Sequence, residues 1–254
     1  MTVYKDVLYR TQNGFRPLSL DLYVPDGPVS ALCLYLHGGG WRIGSRRMPE
    51  LLQRIASLGL AVAAADYRLS GEAAFPAQLE DVADAVDFLA AHRVDYGINA
   101  ERTVAWGASA GGHLAALLGL TTDVIDAVCC WYPPTDFDAL SRDIDEVGGK
   151  PDRSANSREG QLIGAGLDER PDLARAASPV AHVREDAPPF LFVHGTDDKL
   201  VPIRQSERLA AALRAAGGAA TILPVPGAGH MFPELDDAQS FQLMQQSVDF
   251  LRTS

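Results

Sequence analysis

Short apolar runs alternate with helix-compatible stretches along most of this chain, and that alternation limits its fold more than any other feature. The runs lie at 31–36, 60–65, 103–106, 127–131, 190–193 and 221–225. They are too short for buried helices and apolar throughout, as strands covered on both faces are. Between them, 49–58, 78–92, 110–120, 202–216 and 237–252 carry helical spacing; Leu79, Val82, Val86 and Leu89, for example, share one face. Strand, helix, strand repetition predicts an α/β architecture, a mostly parallel central sheet with helices on both faces. Residues 3–10 and 18–24 alternate more openly around Asn13-Gly14, which predicts an antiparallel hairpin at one sheet edge. No repeat, low-complexity tract or linker divides the chain, so 1–254 is expected to be one domain. Residues 133–183, rich in Asp, Pro and Gly, are expected to leave the sheet at its C-terminal edge as a small cap or lid.

Composition removes several classes of function. A net charge of −11 argues against nucleic acid or anionic membranes as partners. Apolar residues at 47% and charged residues at 22% describe a packed protein, not a disordered one. The first thirty residues hold no apolar run of signal-peptide or spanning length, and the expected location is cytoplasmic. Cys33, Cys129 and Cys130 are odd in number with two adjacent, a poor basis for disulfides or zinc, and are expected to be buried thiols.

The chemistry concentrates in a few turns. Gly107-Ala108-Ser109-Ala110-Gly111 joins a strand-like segment to a helix-like one. The pentapeptide alone also describes any small-residue turn; in this setting G-x-S-x-G is a nucleophile elbow, which lifts the Ser109 hydroxyl clear of the sheet at a helix N-terminus. His37-Gly38-Gly39-Gly40-Trp41 follows the run 31–36, and its glycines let main-chain N–H groups approach a developing oxyanion. No G-x-G-x-x-G or GK[ST] pattern surrounds it, which weakens a nucleotide reading. The Ala110 N–H, one residue past the serine, would complete an oxyanion hole.

A serine hydroxyl needs a base, and the base a carboxylate. His230, in Gly227-Ala228-Gly229-His230, sits in a loop directly after the last strand. His113 is expected to pack within its helix, His37 and His194 to bond loop backbone, and His92 and His182 to lie on the surface. The acid falls in His194-Gly195-Thr196-Asp197-Asp198, where two adjacent aspartates compete and one is expected only to cap a turn. The order Ser109, Asp198, His230 is the chain order of one hydrolase type.

Taken together, H-G-G-G-W and G-x-S-A-G-G resemble the carboxylesterases related to hormone-sensitive lipase, in the α/β-hydrolase superfamily, and most of all their compact branch of bacterial feruloyl-esterase-like proteins. The likeness runs from about Leu18 to Leu251. It implies Asp198 as the acid, at the fifth position of H-G-x-x-D-x-x-V-P, and Gly39, Gly40 and Ala110 as oxyanion donors. Asp66-Tyr67-Arg68-Leu69 also matches a segment of that family and is read as structural. Many of these relatives carry a longer helical N-terminal cap, so a small or absent cap and an open site are expected here.

The expected activity is that of a serine carboxylesterase: hydrolysis of short-chain or small carboxylic esters through an acyl-enzyme on Ser109, with no metal or cofactor. The expected partner is a small-molecule ester. Trp41, Tyr132, Phe137, Leu200, Val201, Met231 and Phe232 lie on loops of one sheet edge and are expected to line an apolar pocket. A formamidase of the kynurenine-pathway type shares such loops and the same triad and is the alternative enzyme. A non-catalytic small-molecule sensor is a weaker one, because such sensors tend to lose a triad member.

Overall fold

The computed structural model describes residues Met1 to Ser254. Its eight strands are β1 (Thr2–Arg10), β2 (Leu18–Val24), β3 (Ala31–Leu36), β4 (Leu60–Ala65), β5 (Thr103–Ala108), β6 (Ala127–Trp131), β7 (Phe190–Gly195) and β8 (Ala220–Val225). They form one sheet in the order β1-β2-β4-β3-β5-β6-β7-β8. The pairs β1/β2 and β2/β4 are antiparallel and every other pair is parallel. The N-terminal hairpin therefore forms the edge that its alternation predicts, and its inner strand docks on β4.

Five of the six apolar runs are buried on both sides because successive side chains point to opposite faces. The sixth, in β8, departs from that expectation: it forms the far edge of the sheet, where Thr221 and Pro224 are exposed and only Val225 is buried. In β3, Leu32, Leu34 and Leu36 enter one core cluster, while Ala31, Cys33 and Tyr35 enter the other. Helices α1 (Pro49–Ser57) and α8 (Asp237–Thr253) cover the second cluster through Leu52, Ile55, Met244, Val248 and Leu251. Helices α2 (Ala77–His92), α3 (Ala110–Thr121) and α7 (Arg204–Ala215) cover the first. Every residue of α3 from Ala110 to Leu120 is buried, so its small side chains reflect contact all round and not one apolar stripe. A capping box between Asp236 and Gln239 starts α8, and the Asp236 side chain accepts the Gln239 N–H.

The segment leaving the sheet after β6 is more ordered than its composition suggests. It forms α4 (Phe137–Glu146), α5 (Arg158–Ile163), α6 (Pro171–Ala176) and a 3-10 turn at Pro179–His182. Two of these helices have only six residues, too few for periodicity to reveal. Side chains cap two of them, Asp136 at α4 and Ser157 at α5. Phe137, Leu140, Leu162, Ile163, Leu167, Ala174 and Ala177 from this segment belong to the main core cluster. Polar bonds fix its ends. The Thr135 and Asp136 N–H groups donate to Gln205 Oε1 at 2.9 and 2.8 Å, and the Phe137 N–H donates to Ser178 Oγ at 2.9 Å.

A segment anchored this way is expected to open only with the core. In hydrogen exchange of the free protein, peptides covering Leu140, Ala174 and Ala177 should be protected well above the exposed turn around Asn13. Exchange of those peptides as fast as that turn would restore the mobile-lid expectation.

Candidate active site

The chain order of the sheet locates a crevice. From β3 the chain moves outward to β4, and from β5 it moves the opposite way to β6, so the loops after β3 and β5 diverge at the C-terminal edge. Open α/β sheets bind ligands at such a reversal. The register pairs Leu36 with Gly107, which brings the His37–Trp41 loop beside the turn carrying Ser109.

At that turn Ser109 has φ 54° and ψ −118°, a conformation that L-residues avoid. Its N–H donates to Trp131 O at 2.8 Å and its carbonyl accepts from the His113 N–H at 2.9 Å. The flanking glycines are needed for space: a Cβ on Gly107 would run into the Gly111 backbone, and one on Gly111 into the Leu36 carbonyl. Strand β5 and helix α3 thus meet nearly backbone to backbone, with the serine at the apex.

His230 Nε2 lies 3.1 Å from Ser109 Oγ, and His230 Nδ1 lies 2.7 Å from Asp198 Oδ2. A carboxylate accepts only, so Nδ1 carries the proton and Nε2 faces the serine as an acceptor. Asp198 is 2% exposed. Its Oδ1 accepts the Leu200 and Val201 N–H groups at 2.9 and 2.8 Å. Burial alone would raise the Asp198 carboxyl, but the His194 imidazole 3.5 Å away and the bonds from His230 and Val201 outweigh it and hold the group well below the usual carboxylate range. Asp197, the other aspartate of the pair, is exposed and accepts the Thr196 hydroxyl at 3.1 Å.

Three N–H groups near the serine turn are left without a partner. No backbone or side-chain acceptor of the protein takes the N–H of Gly39, Gly40 or Ala110. Gly39 has φ 112° and Gly40 φ 59°, backbone conformations that favour glycine in this loop. The loop is tied from beneath: Tyr67 OH donates to His37 O at 2.9 Å, the Ser70 N–H to Trp41 O at 2.8 Å, and Arg46 pairs with the carboxylates of Asp66, Asp21 and Asp6. Arg68 pairs with buried Asp81 at 2.8 Å. The Asp66-Tyr67-Arg68 segment acts as scaffold for the glycine loop.

His113 locks the same region from the other side. Trp41 Nε1–H donates to His113 Nδ1 at 3.2 Å, so the imidazole proton sits on Nε2, which donates to Ala177 O at 2.6 Å. One imidazole joins the glycine loop, α3 and the excursion. His194 is likewise committed, with Nε2 donating to Val201 O and Nδ1 bonded to Ser206 Oγ, both at 2.7 Å. His37 Nδ1 lies 2.7 Å from the carbonyl of Gly38, and burial pushes its imidazole down. His92 is exposed and bonded to Asp95, and His182 is half-buried and bonded to the Ala176 carbonyl. All three thiols are buried, and burial pushes Cys129 up to about 12, which leaves it inert near neutral pH. No three His, Cys, Asp or Glu side chains are grouped to hold a metal ion.

Above Ser109 opens a cavity of about 690 Å³. Trp41, Tyr132, Leu200, Val201 and Met231 line it, as their loops suggest, although the Trp41 indole itself is buried against His113 and Phe137. Phe137 and Phe232 do not line it. Phe137 is fully buried and stacked on His113, and Phe232 packs edge-on against Tyr132 and against Trp131. Each supports a lining residue from behind, a depth that position on a loop does not reveal. Arg42, Arg47, Arg158 and Glu159 also line the cavity. A search for apolar loop residues passes over them, and no motif marks Arg158 or Glu159.

Comparison with known proteins gives a concordant result. The BD-FAE family model matches residues 20–213. Esterase LipC of Mycobacterium tuberculosis is 32% identical over 239 residues, covering 85% of this chain and 56% of LipC, so the chain spans just over half the length of that relative. A truncated form of a carbohydrate esterase from gut microbiota superposes with a TM-score of 0.86 at 26% identity, over 100% of this chain and 97% of that one. Esterase 2 of Thermogutta terrifontis superposes at 0.73 with 27% identity, over 96% and 89% of the two chains. No helix here is long and apolar enough to cross a membrane.

The neutral, buried state of His113 has a measurable consequence. Burial lowers its imidazole from 6.5 to about 4, only partly offset by the bond to Ala177. Between those values the unfolded chain takes up a proton that the folded chain does not, so this contribution is complete above the unfolded value and lost as pH falls. Unfolding free energy is expected to drop by roughly 3 kcal/mol from this group between pH 7 and 4. Urea titrations at several pH values should show a shallower decline for His113→Gln; parallel declines would remove the assignment.

Proposed function

The chain belongs to the BD-FAE family and has the α/β-hydrolase fold, and from that premise we propose that it is a serine carboxylesterase acting on short-chain or small carboxylic esters. The observation that carries the reading is the unbroken line from Asp198 to His230 to Ser109, 2.7 and 3.1 Å, with the unengaged N–H groups of Gly39, Gly40 and Ala110 on the same turn and the adjoining loop. The named esterase relatives support ester hydrolysis in general.

In this mechanism an ester enters with its carbonyl oxygen toward the N–H groups of Gly39, Gly40 and Ala110. His230 Nε2 takes the Ser109 proton as Oγ attacks the carbonyl carbon. Negative charge passes to the carbonyl oxygen, where the amides bind it more strongly than the neutral carbonyl, at the N-terminus of a fully buried helix. Asp198 stays ionised and balances the imidazolium. Collapse of the tetrahedral intermediate breaks the ester C–O bond, and His230 returns the proton to the departing alkoxide. Water then repeats the sequence on the acyl-enzyme, with His230 as base, releasing the acid and restoring Ser109. The cavity of about 690 Å³ gives a small ester room at Ser109.

Hydrolysis of p-nitrophenyl esters from acetate to laurate tests this reading. Ser109→Ala and His230→Ala should lower kcat by on the order of 10⁴-fold or more, and Asp198→Asn by about 10³- to 10⁴-fold. Asp197→Asn should stay within about threefold of the wild type, since its carboxylate touches no member of the line. A folded wild type with no activity across the series, or a Ser109→Ala variant as active as the wild type, would sink the reading.

A further inference from the structure

A second cavity of about 350 Å³ adjoins the first. Arg42, Arg158, Glu159 and Leu200 line both, so the two cavities meet at these side chains. The smaller one also holds Lys150 and Lys199, two of only three lysines in the chain. Arg42, Lys150, Arg158 and Lys199 therefore surround one groove in a protein of net charge −11. None of the four has a carboxylate within 4.0 Å, whereas Arg153, Arg204 and Arg208 on flanking segments are paired with Asp168, Glu146 and Asp143. Unneutralised like charges gathered around a concave surface raise one another's energy until an anion joins them.

Arg158 links this groove to the chemistry. Its aliphatic stem lies directly over the glycine loop, so close that a Cβ on Gly40 would stand 2.7 Å from Arg158 Cδ. The guanidinium is exposed, lines both cavities and has no protein partner. Asp152 and Glu159 share the groove lining, so four cations face two carboxylates there and positive charge is in excess.

We propose that this groove is an anion subsite and that the preferred substrates are esters carrying a carboxylate, which Arg42, Lys150, Arg158 and Lys199 receive while the ester group sits at Ser109. This proposal rests on the serine-esterase reading and names the substrate class of that site. Arg158 supplies a planar fork that matches a carboxylate, and the two lysines add charge from the far wall. The selectivity arises in the groove, because the field of the whole protein repels anions.

Two matched pairs test it. In one the charge lies on the acid side: the p-nitrophenyl monoester of adipic acid against its methyl ester. In the other it lies on the leaving group: 4-acetoxybenzoate against 4-acetoxybenzamide. The anionic member of at least one pair is expected to show kcat/KM about tenfold higher at low ionic strength, with the advantage shrinking as sodium chloride is added. In the Lys150→Gln/Lys199→Gln double variant, whose changes are on exposed side chains, the anionic-to-neutral ratio should fall toward one. The pair that responds shows whether the groove receives the acid or the alcohol part. Turnover of neutral esters with no anionic advantage in either pair overturns the subsite and leaves the esterase standing. An advantage that survives the double variant overturns the assignment to this groove. A folded protein inactive on every ester overturns the esterase reading and the subsite with it.

Discussion

The contact between β5 and α3 at Gly107 and Gly111 is the constraint on which the rest of the site depends. Because those backbones meet without side chains between them, Ser109 is forced into a positive φ at the top of the sheet. The parallel register of β3 against β5 then sets the glycine loop beside it, and β6, through the Trp131 carbonyl, holds the serine N–H. The other two side chains arrive from farther out. Asp198 follows β7 and His230 follows β8, so the line of hydrogen bonds to Ser109 runs across the edge of the four parallel strands β5, β6, β7 and β8. A change in strand order would break that line, because it is the parallel run β5-β6-β7-β8 that brings these loops to one edge of the sheet.

Backbone strain is concentrated in the same place. Six non-glycine residues have positive φ, and five of them, Trp41, Ser109, Tyr132, Met231 and Phe232, belong to the cavity or pack directly behind it. Such conformations persist only where surrounding packing over-determines them. Here that packing is visible: Trp41 is wedged between His113 and Phe137, and Tyr132 lies edge-on to both His230 and Phe232. The deeply buried ion network of Arg46 and Arg68 holds the loop's other flank, where loss of one partner would leave a charge without its counter-ion in the core.

Much of this was legible in the order of residues. Buried strands announce themselves as unbroken apolar runs, and the expected segments agree with the observed ones to within one or two residues at nearly every end. The elbow could be read because its glycines are required by sterics, and the candidate base because it follows the last strand. Other features depend on three-dimensional depth. Asp197 and Asp198 are adjacent and chemically identical, and only the turn decides which carboxylate faces inward. Phe137 and Phe232 lie on the expected loops, yet point away from the cavity into packing. The short helices of the excursion are held by capping and core contacts from distant residues. The cations of the groove stand at positions 42, 150, 158 and 199, so no local window contains them.

His113 also sets a rule for descent and for engineering. The segment between β6 and β7 closes a crossover without contributing a strand to the sheet. Yet the imidazole has one proton to place, on Nε2, and Ala177 O is the acceptor that takes it. Any replacement insert, however different in length or side chains, inherits an address to fill: a backbone carbonyl delivered to that one point. An insert that misses it would strand a polar hydrogen beneath the glycine loop and disturb a turn it never touches.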